Sequence, residues 1–481
     1  MSDGNQAAQV PVWFLLAVMA MMTLTAAGFL FLGTRLAPAA NMPQEETKVL
    51  ALVYDHIQGN YVNTLSSEEN EKLVHKAIGG LVKGLDRYSE YVPPEHVADF
   101  DDSNKGVYRG AGFVMQPKGD KITVYFPFLD GPAARAGLQV GDEIVAIETL
   151  EERDGKQVVA KTTKVADLAD KRITDADQRE QKLTAAASKL IRGEAGTPVR
   201  LLVKRGAKTF PVTITRAEVT RPSIKWGRVL DPDLGIAYVH LAGFVERSVK
   251  EFDTAMGILD KECPGRLRGL ILDLRFNQGG ILDVCRDLTN RFLREGVIVT
   301  LNKGQNNDNG RQTGSHSAEP GKCTLPNLPL VILINGRSAS ASEVLSGALQ
   351  AHGRAVAVGT RSFGKGLVQS IYRLDLDARL KITTSEYRTP NGRNIHRGQK
   401  PIKDKSWGIV PDRVVGIDRP TRDAIRSALA QNEVPREYRK EAHALARRLG
   451  VPVRLPLPPQ ADPQLRAALE EARKLVAEQD R

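Results

Sequence analysis

A group of serines ahead of a candidate helix, and a lysine after it, are the residues of this sequence best suited to chemistry. The apolar run Leu330–Ile334 predicts a strand, which Asn335 and Gly336 end. From Ala341 onwards, apolar residues recur at helical spacing. A hydroxyl at this strand-to-helix turn lies beside unpaired N–H groups and the positive end of the helix dipole. These donors could stabilise the anion that develops on an attacked carbonyl.

The alternative is structural, because Ser338, Ser340 and Ser342 could simply cap the helix. Lys365 favours chemistry, since a serine nucleophile needs a base and a desolvated lysine can serve as one. Ser362 and Lys365 form a second candidate pair, with S-x-x-K spacing. That spacing needs a helix to align the two side chains, and the glycines on both sides of Lys365 oppose a helix. Ser340 is therefore the stronger candidate for the nucleophile.

Three ordered motifs resemble those of the carboxyl-terminal processing peptidases, also called tail-specific proteases. They are D-L-R-F-N-Q-G-G at 273–280, S-A-S-A-S-E at 338–343 and F-G-K-G-L-V-Q at 363–369. The resemblance implies that Ser340 is the nucleophile, that Lys365 is the general base and that Gln369 orients the lysine. It also implies an oxyanion hole formed by the N–H of Ala341 and that of Gly279 or Gly280.

The sequence departs from the family pattern at two points. Gln278 stands where proline is usual, which makes that turn less rigid. Some relatives carry an aspartate after the glutamine of the nucleophile helix, but Ala351 and His352 follow Gln350 here. We therefore assign no acidic third member, and we expect His352 to be a helix-end residue.

Residues 106–219 resemble a PDZ domain, which is β-rich with helices. The run G-P-A-A-R-A-G-L-Q-V-G-D-E-I at 131–144 carries this resemblance. A glycine-rich segment upstream would present N–H groups to the terminal carboxylate of a peptide, which would then add to the domain as a strand. The predicted substrate-binding residues are Gly110, Ala111, Gly112, Phe113 and Val114.

A charged insertion interrupts this region between residues 147 and 187. Its stretch 166–183 is helix-like, and we expect the insertion to be a solvated surface extension. A docking surface for a partner is the alternative.

Strand-like runs alternate with helical patterns through residues 220–415, which predicts a layered α/β domain. The resemblance implies a crotonase-like ββα-spiral serine protease domain there. Helical spacing dominates residues 43–105, and we expect no catalytic chemistry from the break at 86–94. We predict a multi-domain α/β chain with segments at 1–42 (tail and membrane anchor), 43–105 (helical), 106–219 (PDZ), 220–415 (protease) and 416–481 (linker and helix).

Residues 12–33 carry no charged side chain over a length that can span a bilayer as a helix. We predict an uncleaved transmembrane anchor, with a cleaved signal peptide as the rival because residues 37–39 offer a small-residue cleavage site. The flanking charges indicate orientation only weakly. The resemblance implies a single-pass protein of the cytoplasmic membrane whose catalytic part faces the extracytoplasmic, periplasmic side.

Composition argues against several other classes of function. The net charge is +11, but basic and acidic residues are interspersed, so we expect no binding to nucleic acid. The three cysteines fit no metal-ligand spacing and H-E-x-x-H is absent from the sequence, so we expect no metal and no cofactor.

Taken together, the residues and the resemblance predict a serine endopeptidase that cleaves proteins or peptides near their C-terminal tails. Its PDZ domain would bind the free C-terminus of the substrate. An adaptor or a homo-oligomer remains open as a further partner. The rival prediction is a catalytically silent, PDZ-bearing scaffold that binds protein C-termini.

Overall fold

A computed structural model describes residues 44–303, 313–398, 406–453 and 457–481. Within these ranges no helix is long and apolar enough to cross a membrane. The anchor predicted at residues 12–33 lies outside the described residues.

The helices, in chain order, are α1 (Gln44–Asn60), α2 (Ser67–Lys83), α3 (Pro94–Lys105), α4 (Pro132–Arg135), α5 (Ala176–Ile191), α6 (Ser248–Glu262), α7 (Leu282–Asn290), α8 (Ala341–Ala351), α9 (Arg419–Ala430), α10 (Arg439–Leu449) and α11 (Pro463–Gln479).

The strands, in chain order, are β1 (Glu90–Val92), β2 (Val107–Gly110), β3 (Phe113–Lys118), β4 (Lys121–Pro127), β5 (Glu143–Arg153), β6 (Lys156–Lys164), β7 (Pro198–Arg205), β8 (Lys208–Thr215), β9 (Ala217–Thr220), β10 (Ile224–Asp231), β11 (Ile236–Leu241), β12 (Gly269–Asp273), β13 (Val297–Lys303), β14 (Thr313–Ser317), β15 (Leu330–Ile334), β16 (Val356–Gly359), β17 (Leu367–Arg373), β18 (Arg379–Arg388) and β19 (Arg413–Val414).

The described residues up to Ile78 form one compact unit, and those from Gly79 onwards form a second. In the first unit, α1 has no buried residue. The second unit contains the three peptidase motifs and the PDZ-like run singled out from the sequence.

Residues 107–220 form an antiparallel unit within the second compact unit. Its sheet has the order β3-β4-β5-β7-β8, with β6 on β5, and β2 and β9 form a separate two-stranded ribbon. α5 covers the sheet and buries Leu183, Ala187 and Ile191 in the same apolar cluster as Ile122 and Val124. β3 lies at the end of this strand order, and it is in contact with α5.

The prediction of a helix at 166–183 was wrong in its bounds. The helix begins at Ala176, where the Asp175 carboxylate accepts the N–H of Gln178 and caps it. The preceding part of the insertion forms the hairpin β5–β6, and most residues of β6 are exposed. The predicted stretch itself begins with a short 3₁₀ turn, Val165–Leu168, which ends well before the helix starts.

The central sheet of the catalytic region has the order β10-β11-β12-β15-β16-β19, parallel from β11 onwards. Alternate residues of its strands point to opposite faces. Leu270 and Leu272 join one apolar cluster, with α6, α7 and α8, whereas Ile271 joins the other. The predicted mixed α/β composition is confirmed.

A second sheet, ordered β1-β18-β13-β14 with β17 on β18, is antiparallel. It places Lys365, just before β17, and the segment 86–92 in the same region of the unit.

The C-terminal helices pack into the core of this unit. α11 buries Ala468, Ala472 and Val476 completely against the central sheet. α10 packs its apolar face on Tyr125 and Phe126 of β4. Residues after 416 therefore stabilise both the antiparallel unit and the central sheet.

Candidate active site

The three serines at the start of α8 have different environments. Ser338 Oγ donates to the carbonyl of Leu274 at 2.8 Å, and Ser342 Oγ donates to the carbonyl of Asn277 at 2.9 Å. Both serines are fully buried, whereas Ser340 is only half-buried. Of the three, Ser340 is the one whose side chain a substrate can reach.

Ser340 has an unusual backbone conformation. Its φ is 56° and its ψ is −119°, although a residue that only caps a helix adopts the extended region. A positive φ at a residue with a Cβ is strained by about 1–3 kcal/mol and persists only when surrounding contacts enforce it. This conformation argues against capping as the sole role of Ser340.

The Glu343 carboxylate fixes the backbone on both sides of the site. It accepts the N–H of Ser340 at 2.9 Å, of Gly364 at 2.6 Å and of Lys365 at 2.8 Å. Glu343 is fully buried, and burial raises the pKa of its carboxyl group while these hydrogen bonds lower it. One side chain thus holds the start of α8 against the loop that carries Lys365.

Asn277 ties the glycine loop after β12 to the serine segment. Its Nδ2 donates to the carbonyl of Leu241 at 2.9 Å, and its carbonyl accepts the N–H of Ala339 at 3.0 Å. Its Oδ1 accepts the N–H of Gly279 at 2.9 Å. The predicted oxyanion donor at Gly279 is therefore engaged with Asn277 in this structure.

The loop approaches Ser340 as closely as glycine permits. A Cβ placed on Gly279 would lie 2.8 Å from Ser340 Cβ and 2.9 Å from the nitrogen of Ala341. A Cβ on Gly280 would collide with the carbonyl oxygen of Phe244. The hydrogen bonds of the described chain include none from the N–H of Gly280 or of Ala341. Of the three predicted oxyanion donors, these two N–H groups thus have no hydrogen-bond partner among the described residues, whereas Gly279 has one.

Lys365 occupies a half-buried position against an aromatic ring. Its Nζ lies 4.8 Å from the centroid of the Tyr88 ring. Burial lowers the pKa of the Lys365 ammonium, and the positive charge of Lys381 lowers it further. The carboxylates of Glu343 and Asp86 act in the opposite direction. A lowered pKa is what a lysine needs to act as a base.

The backbone N–H groups of the predicted dyad meet at the Glu343 carboxylate. The hydrogen bonds of the described residues do not include one between Ser340 Oγ and Lys365 Nζ. Gln369, predicted to orient the lysine, instead donates through Nε2 to Thr383 Oγ1 at 3.1 Å.

Ser362, the weaker candidate nucleophile, is fully buried. Its Oγ donates to Glu343 Oε1 and accepts the N–H of Ile409 at 2.7 Å. A hydroxyl engaged in this way has no open side for a substrate, so the geometry disfavours Ser362.

Comparison with known proteins identifies the family. The profile of peptidase family S41 matches residues 235–415. A carboxy-terminal-processing protease of Bartonella bacilliformis is 34% identical over 366 residues, which cover 76% of this chain and 73% of that protein. The chain belongs to peptidase family S41. It is thus a serine-type peptidase.

Other similar proteins carry related names. A probable CtpA-like serine protease of Staphylococcus haemolyticus is 29% identical over 408 residues, which cover 83% of this chain and 74% of the relative. Among solved structures, a photosystem II D1 C-terminal processing protease is 25% identical, with a TM-score of 0.38, over 76% of this chain and 86% of that one.

The segment 86–92 of the peptidase lies against the lysine of the predicted dyad, although no part in the site was predicted for it from the sequence. Asp86 accepts the N–H of Tyr88 at 2.6 Å and the hydroxyl of Ser89 at 2.8 Å, which forms a tight turn. Ser89 Oγ in turn accepts the N–H of Thr383 at 3.2 Å. The turn sets the Tyr88 ring against Lys365.

Arg275, two residues before Asn277 and the glycine loop, forms a buried ionic network with two aspartates. Arg275, fully buried, donates through Nη2 to Asp273 at 2.7 Å and to Asp462 at 2.8 Å. Asp462 also caps α11, because its Oδ1 accepts the N–H of Gln464 and of Leu465. The conspicuous arginine of the D-L-R motif is therefore structural.

The predicted substrate-binding residues line a groove between β3 and α5. Ala111, Gly112, Phe113 and Val114 border a cavity of about 890 Å³. Gly110 ends β2, immediately before them, and is buried beside the Tyr108 ring.

Sequence reasoning missed Glu343, Asn277 and Tyr88. Glu343 and Asn277 were visible within the motifs, where a polar residue amid small ones signals a hydrogen-bonding role. Tyr88 gave no such signal, because its contact with Lys365 depends on the pairing of β1 with β18.

Proposed function

We propose that this peptidase cleaves proteins or peptides near their C-terminal tails with Ser340 as nucleophile and Lys365 as general base. The observation that carries the proposal is the arrangement at the start of α8. A strained, half-buried serine lies against the glycine loop, and Glu343 joins it to the lysine segment.

In the proposed reaction, neutral Lys365 accepts the proton of Ser340 Oγ while Oγ bonds to the scissile carbonyl carbon. The N–H groups of Gly280 and Ala341 stabilise the negative charge on the carbonyl oxygen. The C–N bond then breaks, and the leaving amine takes the proton from the Lys365 ammonium. Water, deprotonated by the same lysine, then attacks the acyl-enzyme ester. The bond between the acyl carbon and Ser340 Oγ breaks, Oγ takes the proton from the Lys365 ammonium, and the carboxylic acid product is released.

This sequence of steps requires the side chain of Lys365 to change its conformation. Its Nζ contacts the Tyr88 ring and must rotate about the side-chain bonds to reach Ser340 Oγ. The long, flexible stem of lysine permits such a rotation. A corresponding turn of the Gln369 amide from Thr383 towards Lys365 would orient the base.

The groove between β3 and α5 is the proposed binding site for the substrate tail. An exposed strand edge accepts an extended peptide as an added strand, in the manner of PDZ domains. The resemblance of residues 131–144 to PDZ domains supports this assignment.

We further propose that residues 12–33 anchor the protein in the cytoplasmic membrane, with the peptidase on the periplasmic side.

The test is covalent labelling of the full chain with a serine-reactive aryl phosphonate, followed by peptide mapping. We expect one adduct, on Ser340, that is lost both in Ser340→Ala and in Lys365→Ala, with each variant retaining the wild-type melting temperature. An adduct on Ser362 would move the nucleophile. Absence of any adduct in the presence of a bound but uncut tail peptide would instead support the scaffold function.

A further inference from the structure

Three cations meet at one end of the groove between β3 and α5. Arg192 follows α5, Arg221 follows β9, and Lys225 lies on β10. All three line the groove cavity, and all three also line a neighbouring cavity of about 390 Å³. They come from different parts of the fold, since Lys225 belongs to the central sheet and Arg192 to the antiparallel unit.

Two of these cations lie over the ring of Tyr108, and an amide holds the third. The guanidinium carbons of Arg192 and Arg221 lie 5.0 Å and 5.9 Å from the ring centroid. Lys225 Nζ donates to Asn432 Oδ1, a neutral acceptor, at 2.5 Å. A ring and an amide position the cations without neutralising them.

Carboxylates do not compensate this positive charge. The ion pairs of the described residues include none with Arg192, Arg221 or Lys225. Of the two acids on the neighbouring cavity, Asp102 is paired with Arg109 at 3.0 Å and Asp99 is exposed. Burial lowers the pKa of Lys225 to about 8, and the charge of Arg221 contributes to this lowering. Clustered cations without acidic partners favour the binding of an anion.

The groove has the opposite charge at its other end. Asp177 and Glu180, in the first turns of α5, line the same cavity. A peptide added antiparallel to β3 would end beside the start of β3, where residues 110–113 and the three cations lie. A parallel peptide would put its carboxylate towards the acidic end. The charges therefore select the antiparallel direction.

We propose that Arg192, Arg221 and Lys225 form an anion site for the terminal α-carboxylate of the substrate tail. This inference rests on the proposed tail-binding function and adds to it the side chains that read the carboxylate. A carboxylate held by all three cations ties the antiparallel unit to the central sheet. The acidic end of the groove adds a preference for a basic residue upstream in the tail.

The test compares two fluorescent peptides that differ only at the C-terminus, a free carboxylate against an amide. Binding is measured by anisotropy to the full chain carrying Ser340→Ala, at low salt and pH 7. We expect the carboxylate to bind at least about tenfold more tightly than the amide, which corresponds to about 1.4 kcal/mol. In the double variant Arg221→Ala/Lys225→Met, the ratio of carboxylate-peptide affinity to amide-peptide affinity should fall towards one, with the affinity for the amide peptide unchanged.

The matched control is Lys189→Ala, which removes an exposed charge from α5 one turn before Arg192 and outside both cavities. It should keep the full ratio. Arg221→Lys should keep most of it, which shows that charge and not local folding is responsible. Variants are compared only after their melting curves match that of the parent.

A second readout uses protons. A carboxylate beside Lys225 raises the pKa of this lysine from its lowered value, so binding near pH 8 should take up protons. Calorimetry in buffers of different ionisation enthalpy measures this uptake, which the amide peptide should not show.

The outcomes separate the two claims. A carboxylate preference that persists in the double variant would overturn the cation site and assign recognition to backbone N–H groups, leaving tail binding intact. Equal binding of both peptides by the parent would overturn tail-end recognition itself, and the cation site with it.

Discussion

A substitution at Asp462, the N-cap residue immediately before α11, tests whether the C-terminal helix belongs to the catalytic core. The residue is 2% exposed, and its carboxylate receives Arg275 Nη1 at 3.0 Å and Nη2 at 2.8 Å. It also caps α11 through two N–H groups. We expect Asp462→Ala to lower the free energy of unfolding substantially.

The magnitude follows from these contacts. Breaking a buried ion pair costs about 3–5 kcal/mol when the remaining charge is left uncompensated. Arg275 keeps its bonds to Asp273, so the lower end of this range, about 3 kcal/mol, applies. Loss of the cap adds about 1 kcal/mol. Asp462→Asn retains a capping oxygen and should lose only the ionic part.

The matched control is Asp418→Ala. Asp418 caps α9 by accepting the N–H of Thr421 at 2.9 Å, but it is exposed and has no buried ionic partner among the described residues. This variant should lose only about 1 kcal/mol. Urea unfolding followed by circular dichroism and by tryptophan fluorescence measures both changes. If Asp462→Ala costs no more than Asp418→Ala, the network is not a stabilising part of the core.

Three further predictions concern the active site. Lys381→Met removes a positive charge that lowers the pKa of Lys365, so the acidic limb of the pH profile of kcat/KM should move to higher pH. Asp86→Asn removes a negative charge that raises this pKa, so the same limb should move to lower pH. Glu343→Gln weakens the hold on Ser340 and on the lysine loop, and kcat should fall about 10²-fold with KM little changed. Gly279→Ala puts a Cβ 2.9 Å from the Ala341 nitrogen and should reduce kcat about 10²–10³-fold.

A control variant and two contradicting outcomes accompany these predictions. Gly257→Ala, on α6, meets no atom within 4 Å and should leave kcat unchanged. Shifts of the pH profile in the same direction for Lys381→Met and Asp86→Asn would contradict electrostatic tuning of Lys365. A rise in KM alone for Glu343→Gln would place Glu343 in substrate binding and not in positioning.

Local patterns in the sequence were sufficient to propose Ser340 and Lys365 as the reacting residues. The strand at Leu330–Ile334 was predicted from an unbroken apolar run, and the start of α8 from the change to helical spacing. Such periodicities arise from backbone geometry within a few residues, so they survive without knowledge of the rest of the fold. Family membership followed from the motifs at these same positions.

The tertiary contacts around those residues could not be predicted from local sequence patterns. The contact between Tyr88 and Lys365, and that between Arg275 and Asp462, join segments far apart in the sequence. The strained φ of Ser340 likewise depends on contacts made from other elements.

The sequence by itself determined the chemical groups, their order and the elements that carry them. The tertiary structure decided which neighbours of Lys365 lower the pKa of its ammonium group. It also decided which N–H groups remain for an oxyanion and which cations line the same groove. The physical reason is that helix and strand patterns are set by short-range backbone geometry. Burial and charge interactions depend instead on how distant segments pack together.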